Sequence, residues 1–234
     1  MELVVPRNRP LAELFSMATS GDLEVLADLI TDNGNGRLAL DAGVKAIILK
    51  RREQKSLQTI SDVLEAEIRA FGSNSLINLF RSEGVSYKEL ASDVARKLDG
   101  KPAPDDDIFA IEGVIIERAI KSYAPERTGT IATGGVALSA LVGQIVLGLV
   151  ETSGTAVGVA TAGGTASVVA AIAGRAAALA FPAIAVGATG LAAFQALGPA
   201  YRIVIPSVLQ VAKMRRTQFE ADFAAYSEGL RACL

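Results

Sequence analysis

A long stretch almost without charge is the feature that most constrains this sequence. The 74 residues from Thr128 to Tyr201 contain two charged side chains, Glu151 and Arg175. Residues 1–127, in contrast, carry 17 Lys or Arg and 21 Asp or Glu. A stretch of this length and character is stable only when much of it is removed from water, inside protein or lipid. The chain therefore divides into a charged N-terminal part and an apolar C-terminal part.

The apolar part contains three charge-free runs, 129–150, 152–174 and 176–201. Each is long enough to cross a bilayer as a helix, since about 20 residues suffice. The first run is the most hydrophobic, the second is mostly Gly, Ala, Ser and Thr, and the third is interrupted by proline. The large aliphatic residues of the first run are the ones we expect to face lipid: Leu138, Leu141, Val142, Ile145, Val146 and Leu149.

Small residues recur at every fourth position along the second run. They are Gly154, Gly158, Ala162, Ala166, Ala170 and Gly174. This spacing lets helix backbones approach closely, as in GxxxG interfaces. Gly, Ala, Ser and Thr make up 21 of the 27 residues from 152 to 178, so composition alone predicts close helix packing. We expect a homo-oligomer in which such helices pack together.

Basic residues flank the apolar part on both sides. Lys121 and Arg127 precede it, and Arg202, Lys213, Arg215 and Arg216 follow it. Because basic flanks tend to stay in the cytoplasm, the number of crossings should be even. A two-crossing hairpin fits this rule, as does a soluble form that conceals the hairpin until a trigger releases it. Tyr201 and the four following cations are candidate lipid-headgroup contacts, although a buried structural role for Arg202 is an open alternative.

The charged part shows the periodicity of helices. Apolar residues recur at three- and four-residue spacing, and no stretch alternates as a strand would. A helix is expected over 41–54 with Val44, Ile47 and Ile48 inward. Ser86 with Glu89 forms a capping box at the start of a later helix. We therefore predict an all-α fold: an N-terminal bundle of short amphipathic helices plus a C-terminal Gly/Ala-rich hydrophobic helical block.

The composition excludes several classes of chemistry. The chain has no His, which removes imidazole bases, imidazole metal ligands and Ser-His or Cys-His pairs. No phosphate-binding loop or dinucleotide fingerprint is present. The single cysteine, Cys233, forms no internal disulfide, and a net charge of −2 does not favour nucleic acid. We expect no enzymatic activity, no catalytic residue, no cofactor, no metal and no nucleic-acid partner.

Several stretches resemble a known bacterial family. The residues that carry the resemblance are Gly198–Arg216 (GPAYRIVIPSVLQVAKMRR), Phe71–Arg81 (FGSNSLINLFR), Gly84–Leu90 (GVSYKEL) and Leu26–Asp32 (LADLITD). They are similar to the YaaW family (UPF0174), which carries the DUF3944 region at its N-terminus. Ser73 departs from the pattern, where a second glycine is expected. The resemblance implies a bacterial protein of the cytoplasm or the cytoplasmic face of the inner membrane, and brings no reaction, substrate or cofactor.

These observations predict four regions and a function. The regions are a DUF3944-like helical domain (1–100), a linker and amphipathic helix (101–127), the hydrophobic block (128–216) and an amphipathic tail (217–234). We expect a membrane-associating protein that inserts or oligomerises through the hydrophobic block in a stress or defence role, with a protein partner on the N-terminal domain. The alternative is a soluble all-α interaction protein with a tightly packed core.

Overall fold

The computed structural model describes residues 5–34, 40–73, 85–154 and 199–232. Helices account for 80% of these residues, which include no strand, so the predicted all-α fold class is confirmed. The helices are α1 (Leu11–Met17), α2 (Ser20–Thr31), α3 (Ala42–Glu53), α4 (Ser61–Ser73), α5 (Tyr87–Lys97), α6 (Ile108–Tyr123), α7 (Gly129–Thr133), α8 (Gly135–Gly154) and α9 (Pro199–Ala232). Short 3₁₀ turns at Leu57–Ile60 and Pro125–Arg127 precede α4 and α7.

Helix α9 supplies the centre of the fold. Residues 204–212 are all buried, although together they cover every face of the helix. A helix buried on all sides is surrounded by other elements, and α9 packs mainly against α2, α6 and α8. Phe109 and Glu112 of α6 contact Phe219 and Arg215 of α9, respectively, so these two helices run antiparallel.

One hydrophobic cluster joins the charged and apolar parts of the chain. It contains buried side chains from α1 to α6 and from α8 and α9. Helix α8 thus belongs to the same core as the N-terminal helices. Each of its large aliphatic side chains that is buried stabilises that core by ~1.5–3 kcal/mol. The predicted boundaries at residues 100, 127 and 216 stay a prediction. Helix α9 continues without a break across position 216.

Local sequence sets the starts of α5 and α6. The Ser86 hydroxyl accepts a hydrogen bond from the Glu89 backbone N–H, and the Glu89 carboxylate accepts one from the Ser86 backbone N–H at 3.0 Å. This is the predicted capping box, which is confirmed. Asp107 caps α6 in the same way, because its carboxylate accepts from the Ala110 N–H at 2.9 Å.

A pair of glycines divides the first apolar run. Gly134 and Gly135 have φ values of 57° and 65°, a left-handed conformation that side chains with a Cβ rarely adopt. The run 129–150 is therefore a short α7 followed by α8, which continues past Glu151 to Gly154. The run of 22 charge-free residues is therefore divided between two helices, because the backbone takes a positive φ at the two glycines.

The predicted orientation of α3 is wrong at one residue. Ile48 is fully buried, whereas Ile47 is 45% exposed. Neighbouring residues on a helix point about 100° apart, so a helix that packs along a single line buries one of the two. Val44, the third residue of the predicted stripe, is partly buried against the core.

Candidate functional site

The apolar face of α8 is packed inside the bundle. Its six large residues are at most 5% exposed: Leu138, Leu141, Val142, Ile145, Val146 and Leu149. Their spacing of three and four residues places them on one side of the helix, and that side meets α9. The six residues predicted to face lipid thus face protein in this conformation. A lipid-facing role stays a prediction and requires α8 to separate from α9.

Two polar residues in the middle of α9 bind the start of α2. The Gln210 side-chain amide donates to the backbone oxygen and to the carboxylate of Asp22, each at 3.0 Å. The Lys213 ammonium forms an ion pair with the same carboxylate. The stem of Lys213 also packs against α8. A Cβ added to Gly143 would lie 3.2 Å from Lys213 Cε, so the lysine stem fills the space beside that glycine. Lys213 therefore connects α2, α8 and α9.

A buried ion pair lies two residues further along α9, at Arg215. Arg215 Nε donates to Glu112 Oε2 at 2.9 Å, and the two side chains are 2% and 1% exposed. The Tyr87 hydroxyl donates to the other carboxylate oxygen of Glu112 at 2.8 Å. Arg215 also donates to the backbone carbonyl of Arg9. This buried cluster of Arg215, Glu112 and Tyr87 joins α5, α6 and α9, and the Arg9 carbonyl adds the N-terminal segment.

Burial sets the ionisation of this cluster. Removal from water raises the pKa of the Glu112 carboxyl, and the charge of Arg215 and the Tyr87 hydrogen bond oppose that shift. Burial also raises the pKa of the Tyr87 phenol, and the Glu112 carboxylate raises it further. A neutral Tyr87 is the form that donates to Glu112, so the phenol stays a hydrogen-bond donor over the physiological pH range.

Arg216 lies on the neighbouring face of α9 and contacts α6 differently. Its guanidinium carbon is 4.4 Å from the centroid of the Phe109 ring, which is a cation–π contact. A Cβ on Gly113 would lie 2.9 Å from Arg216 Nη2, so that glycine leaves room for the arginine. Burial lowers the pKa of Arg216, while the charges of Glu112 and Glu220 oppose this shift.

The remaining predicted headgroup contacts lie at the start of α9. Tyr201 is half-buried, and the Lys97 ammonium lies 5.1 Å from its ring centroid. Arg202 is half-buried as well. Three of the five predicted headgroup contacts, Lys213, Arg215 and Arg216, are thus committed to partners within the protein. Their contact with lipid stays a prediction.

The predicted small-residue stripe falls mostly outside the described residues. Gly154 is the last residue of α8. The others, Gly158, Ala162, Ala166, Ala170 and Gly174, lie outside the described ranges, as do Cys233 and most of the second and third apolar runs. Their role in helix packing stays a prediction.

Sequence reasoning missed the residues that bind α9 to the bundle. Glu112 and Arg215 are 103 positions apart, and Asp22 and Lys213 are 191 apart, so no local pattern links them. A signal was nevertheless present. Glu112 follows Ile108 by four residues and precedes Ile115 by three, which places a carboxylate on the inward stripe of α6. A charged residue on an inward stripe indicates a buried partner.

The described residues bear on the predicted membrane crossing and on the expected absence of a metal site. Within the described ranges, no helix combines the length and hydropathy needed to cross a bilayer. No group of three or more metal-ligating side chains occurs within the same ranges. The expected absence of a metal and of enzymatic activity stays a prediction.

Comparisons with known proteins identify no relative of this chain. No protein-family model, curated protein or solved structure matches the chain. The resemblance to the YaaW family therefore stays a prediction from the stretches quoted above.

Proposed function

We propose that this chain is a membrane-associating helical protein in which the bundle holds an apolar segment, residues 155–198, for contact with lipid. The segment has 44 residues and one charge, Arg175. The observation that carries the proposal is the anchoring of both of its flanks, because α8 ends at Gly154, α9 begins at Pro199, and both helices belong to one core. The charged bundle thus carries an apolar segment that is fixed at both ends.

This proposal assigns different roles to the two halves of the apolar part. Helix α8 stabilises the bundle, since its large side chains are buried against α9. Lipid contact belongs to the segment 155–198, whose Val, Ile, Leu and Phe residues are interspersed with Ala and Gly. Assembly of copies through the small-residue stripe, a bacterial stress or defence setting and kinship with the YaaW family are parts of the same proposal.

Charges placed in the segment test the proposal. We expect the unmodified chain to float with liposomes of phosphatidylethanolamine and phosphatidylglycerol. The double variant Val168→Asp/Ile172→Asp should float at least about tenfold less, because each charge in the bilayer interior costs ~2.5–3.5 kcal/mol. The matched control is Ile47→Asp, since Ile47 is 45% exposed on α3 and outside the segment. Equal flotation of all three proteins, or no flotation of any, contradicts the proposal.

A second candidate function is a soluble all-α interaction protein. The burial of the six α8 residues favours it, because in this conformation they stabilise a protein core without any lipid. This function predicts a monodisperse particle without detergent, no liposome flotation, and loss of that particle in Gly158→Leu or Ala166→Leu. Flotation of the unmodified chain decides between the two functions.

A further inference from the structure

We propose that residues 5–10 are an ionic strap that holds α9 against α6 and so keeps the flanks of the apolar segment within the bundle. We call this action of the strap on α9 and α6 the lock. The lock acts within the bundle, and its consequence for lipid contact rests on the proposed function. The strap precedes α1 and lies across the start of α6 and the C-terminal half of α9. It is defined by where its side chains bind.

The strap binds α6 through the residues that begin that helix. Arg7 forms an ion pair with Asp107 at 2.6 Å, and the Asn8 amide donates to the same carboxylate at 2.9 Å. The Asn8 side-chain oxygen accepts from the Phe109 backbone N–H at 3.2 Å. Asn8 thus satisfies one of the free N–H groups at the helix start, where an acceptor is favourable. These contacts fix the strap in register on α6.

The strap binds α9 through Arg9. Its guanidinium donates to the Asp222 carboxylate at 2.8 Å, and its backbone carbonyl accepts from Arg215. Arg215 and Asp222 are seven residues apart, which places them on one face of α9 two turns from each other. A second pair, between Arg9 and Glu13, orients the guanidinium from the α1 side. Arg9 therefore covers the buried ion pair of Arg215 with Glu112 from outside.

The forces that hold the strap are almost entirely polar. None of residues 5–10 is buried, so little apolar surface is removed from water when the strap closes. The ion pair between Arg7 and Asp107, whose side chains are 59% and 26% exposed, weakens as salt screens it, since the Debye length falls from about 10 Å at 0.1 M to about 3 Å at 1 M. The pair between Arg9 and Asp222, at 17% and 22% exposed, is screened less. The strap can therefore open while the hydrophobic core stays formed, which is the property that a releasable lock needs.

Hydrogen exchange in α9 tests the lock directly. In Arg9→Ala, the strap loses its ion pair with Asp222 while its carbonyl still accepts from Arg215, so the buried cluster keeps its partners. We expect amide exchange over residues 214–226 to become about tenfold faster. Asp222→Asn, which removes the same ion pair from the α9 side, should behave alike. The matched control is Arg96→Ala, because Arg96 is ion-paired with Asp93 within α5 and is 65% exposed.

The outcomes separate the lock from the membrane function. Faster α9 exchange in both strap variants, with increased liposome flotation, supports both. Faster exchange without flotation of any protein supports the lock and contradicts the membrane function. Exchange in Arg9→Ala and Asp222→Asn that equals the exchange in Arg96→Ala overturns the strap, whatever the flotation result.

Discussion

Replacing Glu112 with alanine is expected to lower the free energy of unfolding by about 3–5 kcal/mol. The substitution leaves the guanidinium of Arg215 buried without its carboxylate, and it removes the acceptor of the Tyr87 hydroxyl. A buried charge without a counter-charge is among the costliest defects a core can contain. Urea unfolding followed by circular dichroism measures the loss.

Two further variants show whether the loss comes from the ion pair. Glu117→Ala removes a carboxylate from the exposed side of α6, where Glu117 pairs with Lys121, and should change stability by less than about 1 kcal/mol. The double variant Glu112→Leu/Arg215→Met should regain part of the stability, because it removes the unpaired charge, although the Tyr87 hydroxyl still lacks its acceptor. A loss below about 1 kcal/mol in Glu112→Ala contradicts the buried pair.

Leu149→Ala is expected to cost about 2–5 kcal/mol of stability in the absence of lipid. Leu149 is fully buried where α8 meets the core, so its truncation leaves a cavity. Val136→Ala is the matched control on the same helix, because Val136 is 69% exposed and its truncation should change stability by less than about 0.5 kcal/mol. Thermal and urea unfolding of the detergent-free protein measure both effects.

The outcome of this comparison bears on the original expectation for α8. If Leu149 faced lipid instead of protein, its truncation would not destabilise the protein in water. Equal stability of Leu149→Ala and Val136→Ala therefore contradicts the packing of α8 on α9. A loss confined to Leu149→Ala assigns α8 to the bundle and leaves lipid contact to the segment 155–198.

Features encoded within a few residues were predictable from the sequence. The capping box of Ser86 and Glu89 needs two side chains three positions apart, and Asp107 caps the helix that immediately follows it. Likewise, the inward stripe of α5 follows from apolar spacing alone, and its residues are buried: Tyr87, Leu90, Ala91, Val94 and Leu98. Helical periodicity identified the fold class for the same reason.

Features that depend on long-range packing were not predictable. The apolar run of α8 has the composition of a membrane helix and of a buried core helix, and hydropathy does not distinguish lipid from protein as its surroundings. The cations of α9 likewise suit headgroups or buried carboxylates. Their partners Asp22 and Glu112 can be identified only from the tertiary structure, which places α2 and α6 beside α9.

The most direct test of the account is the environment of the segment in the presence of lipid. An environment-sensitive fluorophore is attached at residue 166 through Ala166→Cys in a Cys233→Ser background, and in a second protein at residue 47 through Ile47→Cys. With liposomes that contain brominated lipid, lipid contact of the segment 155–198 predicts quenching at residue 166 and none at residue 47. Bromine on acyl chains quenches only probes that enter the bilayer. Unquenched fluorescence at residue 166, with full access to a water-soluble quencher, would contradict lipid contact of the segment.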